Sequence, residues 1–501
     1  MFPMGTKKFK PLPKDYVYNI YAKCDEEAFS YIANEPFLGG GVGGTPNNNP
    51  ANCTIHIISP KKNFVSTGSI HVIGYGSRLF KKLSWGLKFD DKFLGRKAVK
   101  LRALAGDPTY VREKLATELY KAVGVPVQEG SYARLIINDT VFGLYTIIDS
   151  FSKKWVGAYI HGDEDKEIGF SYKLYTDLPN YPDFKYLGED YTLYSRYQPD
   201  EYEDTDVDPE VEGSKFERII EFTRLFDQWI NTYGDDMSDT AVTELGKFLN
   251  IESVLRILVI DTLILALDNF WLRMSNASLY YDPDKKKYLI LPYDFDKVLL
   301  GSTGDALLNL EEDNYLFDCF TWANQHEETV EHFFTNNILN HPQIKARYDV
   351  ILAKASRETF ASDVVSQYIK ATADLIREDI QWNIDATEQL PTTYEGDLNH
   401  YTYEDFENNL VDGSVSFADG LIINDAPFGI EGFVNTRGNN CRAATQTIDV
   451  SNNENISDKE EVKIYQDDGE DSTVSSAFST IIISNASLLL VLSYFIYNLL
   501  L

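Results

Sequence analysis

Hydrophobic and polar positions alternate with a period of two in several short segments between residues 53 and 104. CTIHIISP, GSIHVIGYG, LSWGLKF and KAVKLRAL each read as a strand with one buried face. In the last of these the alternation sets Lys100 and Arg102 on a common face. Just ahead of the first, GGGVGGTPNNNP has nothing to pack and reads as a loop or boundary, so residues 1–50 are expected to be an N-terminal segment, partly disordered. The period then changes. In GDPTYVREKLATELYKAVGV the apolar positions Val111, Leu115, Leu119 and Val123 recur at helical spacing, with Asp107 or Thr109 available as a cap and Gly124 and Pro126 as a stop. YARLIINDTVFGLYTIID returns to strand spacing on both sides of Asn138-Asp139, the pattern of a hairpin.

Residues 51–174 are therefore expected to form a β-rich N-lobe. Residues 175–214, with YQPDEYEDTDVDPEVEG, read as an acidic, Tyr-rich insertion. From 215 the pattern is helical through KFERIIEFTRLFDQWINTY and ESVLRILVIDTLILALDNF, is interrupted by a strand pair near 278–300, and resumes at about 328–385, so that 215–390 is expected to be a helical C-lobe carrying a hairpin. Residues 391–480 lose periodicity, become acidic and rich in Asn and Ser, and read as a stalk. The fold class predicted is α+β. Strand, helix and then hairpin is the order found in the small lobe of kinase-like folds.

The chain has 501 residues and a formal net charge of −31, which makes nucleic acid an unsuitable partner because phosphates would be repelled. Its four cysteines lie far apart with no CxxC pair, which argues against zinc and leaves one or two disulfides open. The seven histidines are scattered, and neither HExxH nor GxSxG occurs, which sets metalloprotease and serine hydrolase chemistry aside. The tail Ile481–Leu501 is apolar to the last residue with no basic stop, which fits a GPI signal better than a spanning anchor. Gly469, Ser472 and Ser475 are candidate attachment points, and Asn52, Asn138 and Asn455 lie in glycosylation sequons, as does Asn276. The expected location is the cell surface, plasma membrane or wall. MFPMGTKKFKPLPKDYVYN holds no apolar run of signal-peptide length, so either the start is incomplete or misassigned or the tail is a genuine tail anchor, and the tail favours the first.

The chemistry gathers around two carboxylate-bearing segments. The apolar helix ESVLRILVIDTLILAL is expected to deliver Asp268 at its end, where an unpaired carboxylate is costly, and Asn276 stands eight residues later. SLYYDPDKKKYLILPYDFD then turns at Asp282-Pro283-Asp284 and returns to Asp294 and Asp296, so a hairpin can bring Asp268, Asn276 and Asp294 to one end. Phosphoryl transfer needs such a set: one carboxylate for the hydroxyl proton, and an Asn and an Asp for Mg²⁺. A strand lysine and a helix glutamate complete it, and Lys100 and Glu113 are in those places.

With VKLRALAGDPTYVREKLATELYKAVG, YARLIINDTVFGLYTIID, LALDNFWLRMSNASLYYD and LPYDFD in view, the chain resembles the CotH family of kinase-like spore-coat proteins over roughly residues 70–390, and within it the fungal cell-surface members. The resemblance implies an atypical two-lobed protein-kinase-like fold, with a small β-rich N-lobe and a mainly helical C-lobe, and an ATP-dependent kinase using Mg²⁺ or Mn²⁺. In it, Asp268 takes the catalytic position, Lys100 and Glu113 serve the nucleotide, and Asn276, Asp294 and Asp296 are metal ligands or support them. It also implies two partners: a protein bearing Ser or Thr, as for bacterial members, or a host-cell receptor, as for fungal invasins. The chain departs from that pattern in reading DFD where kinases carry DFG, in lacking a compact Gly-rich phosphate loop beyond Gly74 and Gly76, and in carrying NASLYYDPDKKK where the invasins have a Gly/Asp-rich loop. Two functions follow: a surface kinase, or a GPI-anchored adhesin whose kinase-like scaffold binds a receptor with chemistry incidental. A purely structural wall protein would have no need of the carboxylate cluster.

Overall fold

The computed structural model describes residues 2–301 and 332–451 except 41–42, 177–180, 205–206, 209 and 417–424, together with 316–317, 319–320 and 456. Seven strands close into a barrel: β1 (Val17–Cys24), β2 (Ala51–Ile58), β3 (Asn63–Val72), β4 (Trp85–Phe93), β5 (Arg96–Arg102), β6 (Gly130–Ile137) and β7 (Thr140–Asp149). β1 closes it by pairing antiparallel with β2 and parallel with β6. The N-terminal 50 residues thus supply a barrel strand and, after it, helix α1 (Glu26–Asn34). The signal was legible in VYNIYAKC, where Tyr18, Ile20, Ala22 and Cys24 alternate inward with the period of a strand. Trp85, Ile20, Ile55, Leu101 and Tyr145 fill the barrel interior, and a disulfide joins Cys24 to Cys53 across β1 and β2.

Helix α2 (Arg112–Ala122) follows β5, and Asp107 caps its approach by accepting from the backbone N–H of Thr109 (2.9 Å) and Arg112 (3.0 Å). The β6–β7 turn puts both Asn138 (φ 46°) and Asp139 (φ 67°) in the left-handed region, as a two-residue hairpin turn requires.

Beyond the barrel come the short helix α3 (Lys153–Val156), then β8 (Phe170–Leu174) and β9 (Tyr197–Tyr202). Next are α4 (Glu217–Tyr233), α5 (Asp239–Leu245) and α6 (Ile251–Ile264), followed by β10 (Ala277–Asp282) and β11 (Lys287–Pro292). A second sheet orders its strands β11-β10-β8-β9. The segment expected to be an acidic insertion therefore contributes β9 to a sheet, because Tyr197 is buried and pairs with Leu174. The chain ends in α7 (Phe333–Leu339), α8 (Pro342–Arg357), α9 (Ser362–Glu388), α10 (Tyr403–Val411) and α11 (Ile430–Ala444).

The last two helices occupy part of the expected stalk. Phe406 and Leu410 from α10, and Ile430, Phe433 and Val434 from α11, enter the main core, and Thr402 and Asp405 form a capping box that starts α10. A second disulfide, Cys319–Cys441, ties α11 to the segment after β11. Both disulfides left open by the sequence are therefore formed.

Helix α6 lies at the centre, with Ile257, Val259, Ile260 and Leu263 among its buried side chains. Helix α9 fastens the helices to the barrel. Asn383 accepts from Leu144 N (2.8 Å) and Lys82 Nζ (2.8 Å) and donates to Tyr110 Oη (2.7 Å), while Arg134 forks onto Asp379. Among the described residues no helix is long and apolar enough to cross a membrane; the 481–501 tail lies outside them.

Candidate active site

The site lies where the end of β5, the first turn of α2 and the chain leaving β11 meet. Just after β11 Asp294 takes φ 61°, a left-handed value that a non-glycine residue holds only at some cost. Phe295 points into the core, 97% buried and stacked at 4.5 Å on the ring of Tyr120 from α2. Its neighbours Asp294 and Asp296 are thereby left at the cleft. This explains why carboxylates flank an aromatic in DFD: the ring anchors the segment and the acids are presented on either side of it.

Arg102 is the centre of the charge network. Its guanidinium forks across both oxygens of Asp294, reaches Glu113 Oε1 at 3.3 Å through Nε, and lies 3.5 Å from Asp296. Burial opposes its charge, but Asp294 and Glu113 more than compensate and hold it firmly protonated. Glu113 is pushed up by burial despite Arg102, and its Oε2 is buried without a hydrogen-bond partner. The expected Lys100–Glu113 pair is therefore replaced by Arg102–Glu113, because the residue at the end of β5 is the one that reaches the first turn of α2.

Lys100 faces the same cleft, half-buried, with Nζ 6.0 Å from the centre of the Tyr293 ring. Burial lowers it to about 8 against the pull of Asp294. Asp296 is raised to about 7 by desolvation and by the charges of Asp294 and Asp268. Its side chain keeps 46% exposure, and the two neighbouring carboxylates repel its charge.

Asp268 does not end a helix as expected. α6 stops at Ile264, Leu265 turns left-handed (φ 47°), and Asp268 sits in the following loop, 3.3 Å from Lys297 Nζ and 3.6 Å from Arg273 Nε. The next residue organises the loop: buried Asn269 donates through Nδ2 to the backbone oxygens of Asn276 (3.1 Å) and Tyr293 (3.0 Å). Tyr293 N also donates to Asn276 O (2.9 Å), so Asn276 and Asp294 flank the open end of the β10–β11 hairpin, where Ala277 pairs with Pro292. The hairpin convergence expected for Asn276 and Asp294 is present. Asp268, Asp294 and Asp296 surround the cleft without presenting three ligand atoms within 4.8 Å of one another among the described residues.

Two buried residues were missed by the sequence reading. Asp261 of α6 accepts from Tyr120 Oη through Oδ1 and from the backbone N–H of Phe270 (2.8 Å) through Oδ2, which ties the Asp268 loop to α2. Burial pushes it up to about 7. A lone acid in LRILVIDTLIL was the signal for it; Tyr120, in an ordinary helical pattern, offered none.

The buried polar groups here are of a kind that a cation and phosphates would satisfy, and the free space between them is about 10 Å³, the room of a single water. Glu113 Oε2 and Gln128 Nε2, both buried without partners, line one narrow cleft with Thr117, Ile148, Tyr293 and Asp294. The charges of Asp294 and Asp268 bear on Asp296 beside this cleft, with Arg102 and Lys297 opposing them.

Residues 70–410, more than half of the chain, match the CotH kinase protein family. The chain belongs to that family. Among relatives of this CotH chain, Invasin CotH2 of Rhizopus delemar is 26% identical over 332 residues, covering 66% of this chain and 52% of the relative. Invasin CotH3 of the same fungus is 24% identical over 337 residues, with coverage of 66% and 51%. Its Spore coat protein homolog 1 is 24% identical over 333 residues, with coverage of 66% and 49%. The CotH chain thus spans about half the length of these relatives.

Of the glycosylation candidates, Asn52 is exposed on β2, whereas Asn138 sits in the β6–β7 turn with its Oδ1 accepting from Cys24 N (2.7 Å). Asn455 and the attachment candidates Gly469, Ser472 and Ser475 lie outside the described residues.

Proposed function

We propose that this CotH protein is an atypical, two-lobed protein kinase acting at the cell surface, with ATP and Mg²⁺ or Mn²⁺ as cofactors and a protein Ser or Thr hydroxyl as acceptor. The observation that carries the reading is the convergence of β5, α2 and the post-β11 segment through Arg102, Glu113 and Asp294, with Asp268 and Asn276 on the loop beside them.

Asp294 and Asn276 would hold the metal, with Asp296 alongside, and the metal would supply charge neutralisation at the phosphates. Lys100, which burial lowers to about 8, would carry full charge once phosphate oxygens come near. Glu113 and Arg102 hold α2 against β5 so that Lys100 and Asp294 stay in register. Asp268 would orient the acceptor hydroxyl and take its proton as the hydroxyl oxygen bonds to the γ-phosphorus, whose bond to the ADP leaving group would break in exchange. Lys297 and Arg273 hold the Asp268 carboxylate in place.

The test is transfer of labelled γ-phosphate to the protein itself or to a Ser-containing acceptor. Metal-dependent transfer that is lost in Asp268→Asn and Asp294→Asn supports the kinase. Transfer that persists in both contradicts it.

The relatives' names favour a second reading, an invasin that binds a host-cell receptor. The exposed side chains Tyr175, Leu187, Leu193 and Val211 in the acidic insertion offer contact material for it. Binding to host cells that survives both substitutions would favour adhesion with chemistry incidental. Two disulfides suit an oxidising, extracellular setting, and the apolar tail supports GPI anchorage.

A further inference from the structure

At the end of the β10–β11 hairpin away from the candidate active site, three side chains from two separate turns meet. His161 comes from the turn after α3, and Asp282 and Asp284 from the hairpin turn. Each presents a ligand atom within 4.8 Å of the others, a juxtaposition found nowhere else among the described residues for three His, Cys, Asp or Glu side chains. The separation of His161 from Asp282 along the chain hid the cluster from the sequence, where the histidines looked scattered.

The groups are held as metal ligands are held. The His161 side chain is 93% buried, and its Nε2 lies 2.7 Å from Tyr280 Oη, which also accepts from Gly169 N (3.0 Å). Nδ1 faces Asp284 at 3.7 Å, beyond hydrogen-bond length. A buried imidazole nitrogen is thus aimed at two carboxylates without a hydrogen bond to either. When Nε2–H donates to Tyr280, Nδ1 carries the lone pair toward the cluster, the tautomer that an outer partner fixes in metal sites. Asp282 is 98% buried, with Oδ1 accepting from the backbone N–H of Asp284 (3.0 Å) and Lys285 (3.3 Å), which fixes its carboxylate. Asp284 is half-exposed on the turn and pairs with exposed Lys166 (3.0 Å), a contact that solvent weakens and a cation can displace.

We propose that His161, Asp282 and Asp284 form a structural site for a divalent cation of the zinc class, closed by water in the fourth position. One imidazole with two carboxylates suits Zn²⁺ better than Mg²⁺ or Ca²⁺, which prefer all-oxygen shells. The site clips the 157–166 turn to the hairpin. Its other end, five residues and roughly 17 Å away at strand rise, carries Asn276 and Asp294. The cation is thus an anchor for the hairpin and distinct from the metal of the phosphoryl-transfer cleft.

The test is calorimetric titration of the chelator-treated full chain with Zn²⁺ alone, without nucleotide, alongside thermal unfolding. The expected result is saturable one-site binding that raises Tm. His161→Gln and Asp284→Asn should each lower affinity at least tenfold, Tyr280→Phe about 10-fold by releasing the ring, and Asp294→Asn should leave it unchanged. Asp284→Asn and Tyr280→Phe keep the test decisive if His161→Gln does not fold. Absence of saturable binding by the unaltered protein, or binding that is unchanged in Asp284→Asn and Tyr280→Phe or lost in Asp294→Asn, would overturn the proposal.

Discussion

The Arg102 guanidinium spans both carboxylate oxygens of Asp294, joining the last residue of β5 to the segment that follows β11. The same side chain contacts Glu113, so one cation joins three elements. Replacing it by Met leaves two carboxylates facing each other in a mostly buried setting. Arg102→Met is expected to destabilise the fold by about 3 kcal/mol, the scale for removing one partner of a buried ion pair. Urea unfolding checks this, and a loss under about 1 kcal/mol would mark the contact as an ordinary surface pair. Arg102→Lys should recover only part, since an ammonium cannot fork.

Tyr120 and Asp261 form the second joint, between α2 and the loop carrying Asp268. Tyr120→Phe leaves a buried carboxyl oxygen short of a donor and should cost about 1–3 kcal/mol.

The same pair makes a pH prediction with a definite sign. Asp261 titrates near 7 in the fold and near its ordinary value of about 3.9 when unfolded. Between these values the folded chain holds a proton that the unfolded chain has released. This group's contribution therefore falls as pH rises through that window. Asp261→Asn removes the titrating group, its amide oxygen can accept from Phe270 N while its N–H donates to Tyr120 Oη, and it should flatten the fall. Stability measured from pH 4 to 7 with an unchanged slope would refute this.

Gly143 tests how α9 is fastened to the barrel. It sits at φ 92°, and a Cβ there would lie 2.5 Å from Asn383 Oδ1, the atom that accepts from Leu144 N and Lys82. Gly143→Ala is expected to lower stability by about 1–3 kcal/mol through backbone strain alone, with more lost if Asn383 is pushed off its partners. Thermal unfolding of the variant against the unaltered chain reads this.

The barrel strands and helix α2 were legible because their periodicity is regular and their boundaries carry turn and capping residues, as at Asn138-Asp139 and Asp107. β1 was overlooked because a Gly/Asn-rich loop behind it made the whole segment look unstructured, although Tyr18, Ile20 and Ala22 alternate cleanly. The last two helices were hidden among Asn, Gly and acidic residues, and their apolar positions gain meaning only against the core they join. In the site, the carboxylates were visible as acids in apolar runs. The partner of Glu113 was not: Lys100 and Arg102 share a face, and only the placement of α2 against the end of β5 decides between them. Tyr120 and His161 act through neighbours distant in the chain, which periodicity cannot reveal.

The central claim is that the cleft between α2 and the segment after β11 binds a metal–nucleotide. Thermal unfolding with ATP and Mg²⁺, separately and together, tests it most directly. The account predicts a rise in Tm that needs both and disappears in Asp294→Asn; at a free ligand concentration about 100 times Kd the stabilisation would be about 2.7 kcal/mol. No rise with both present, or an equal rise in Asp294→Asn, would contradict it.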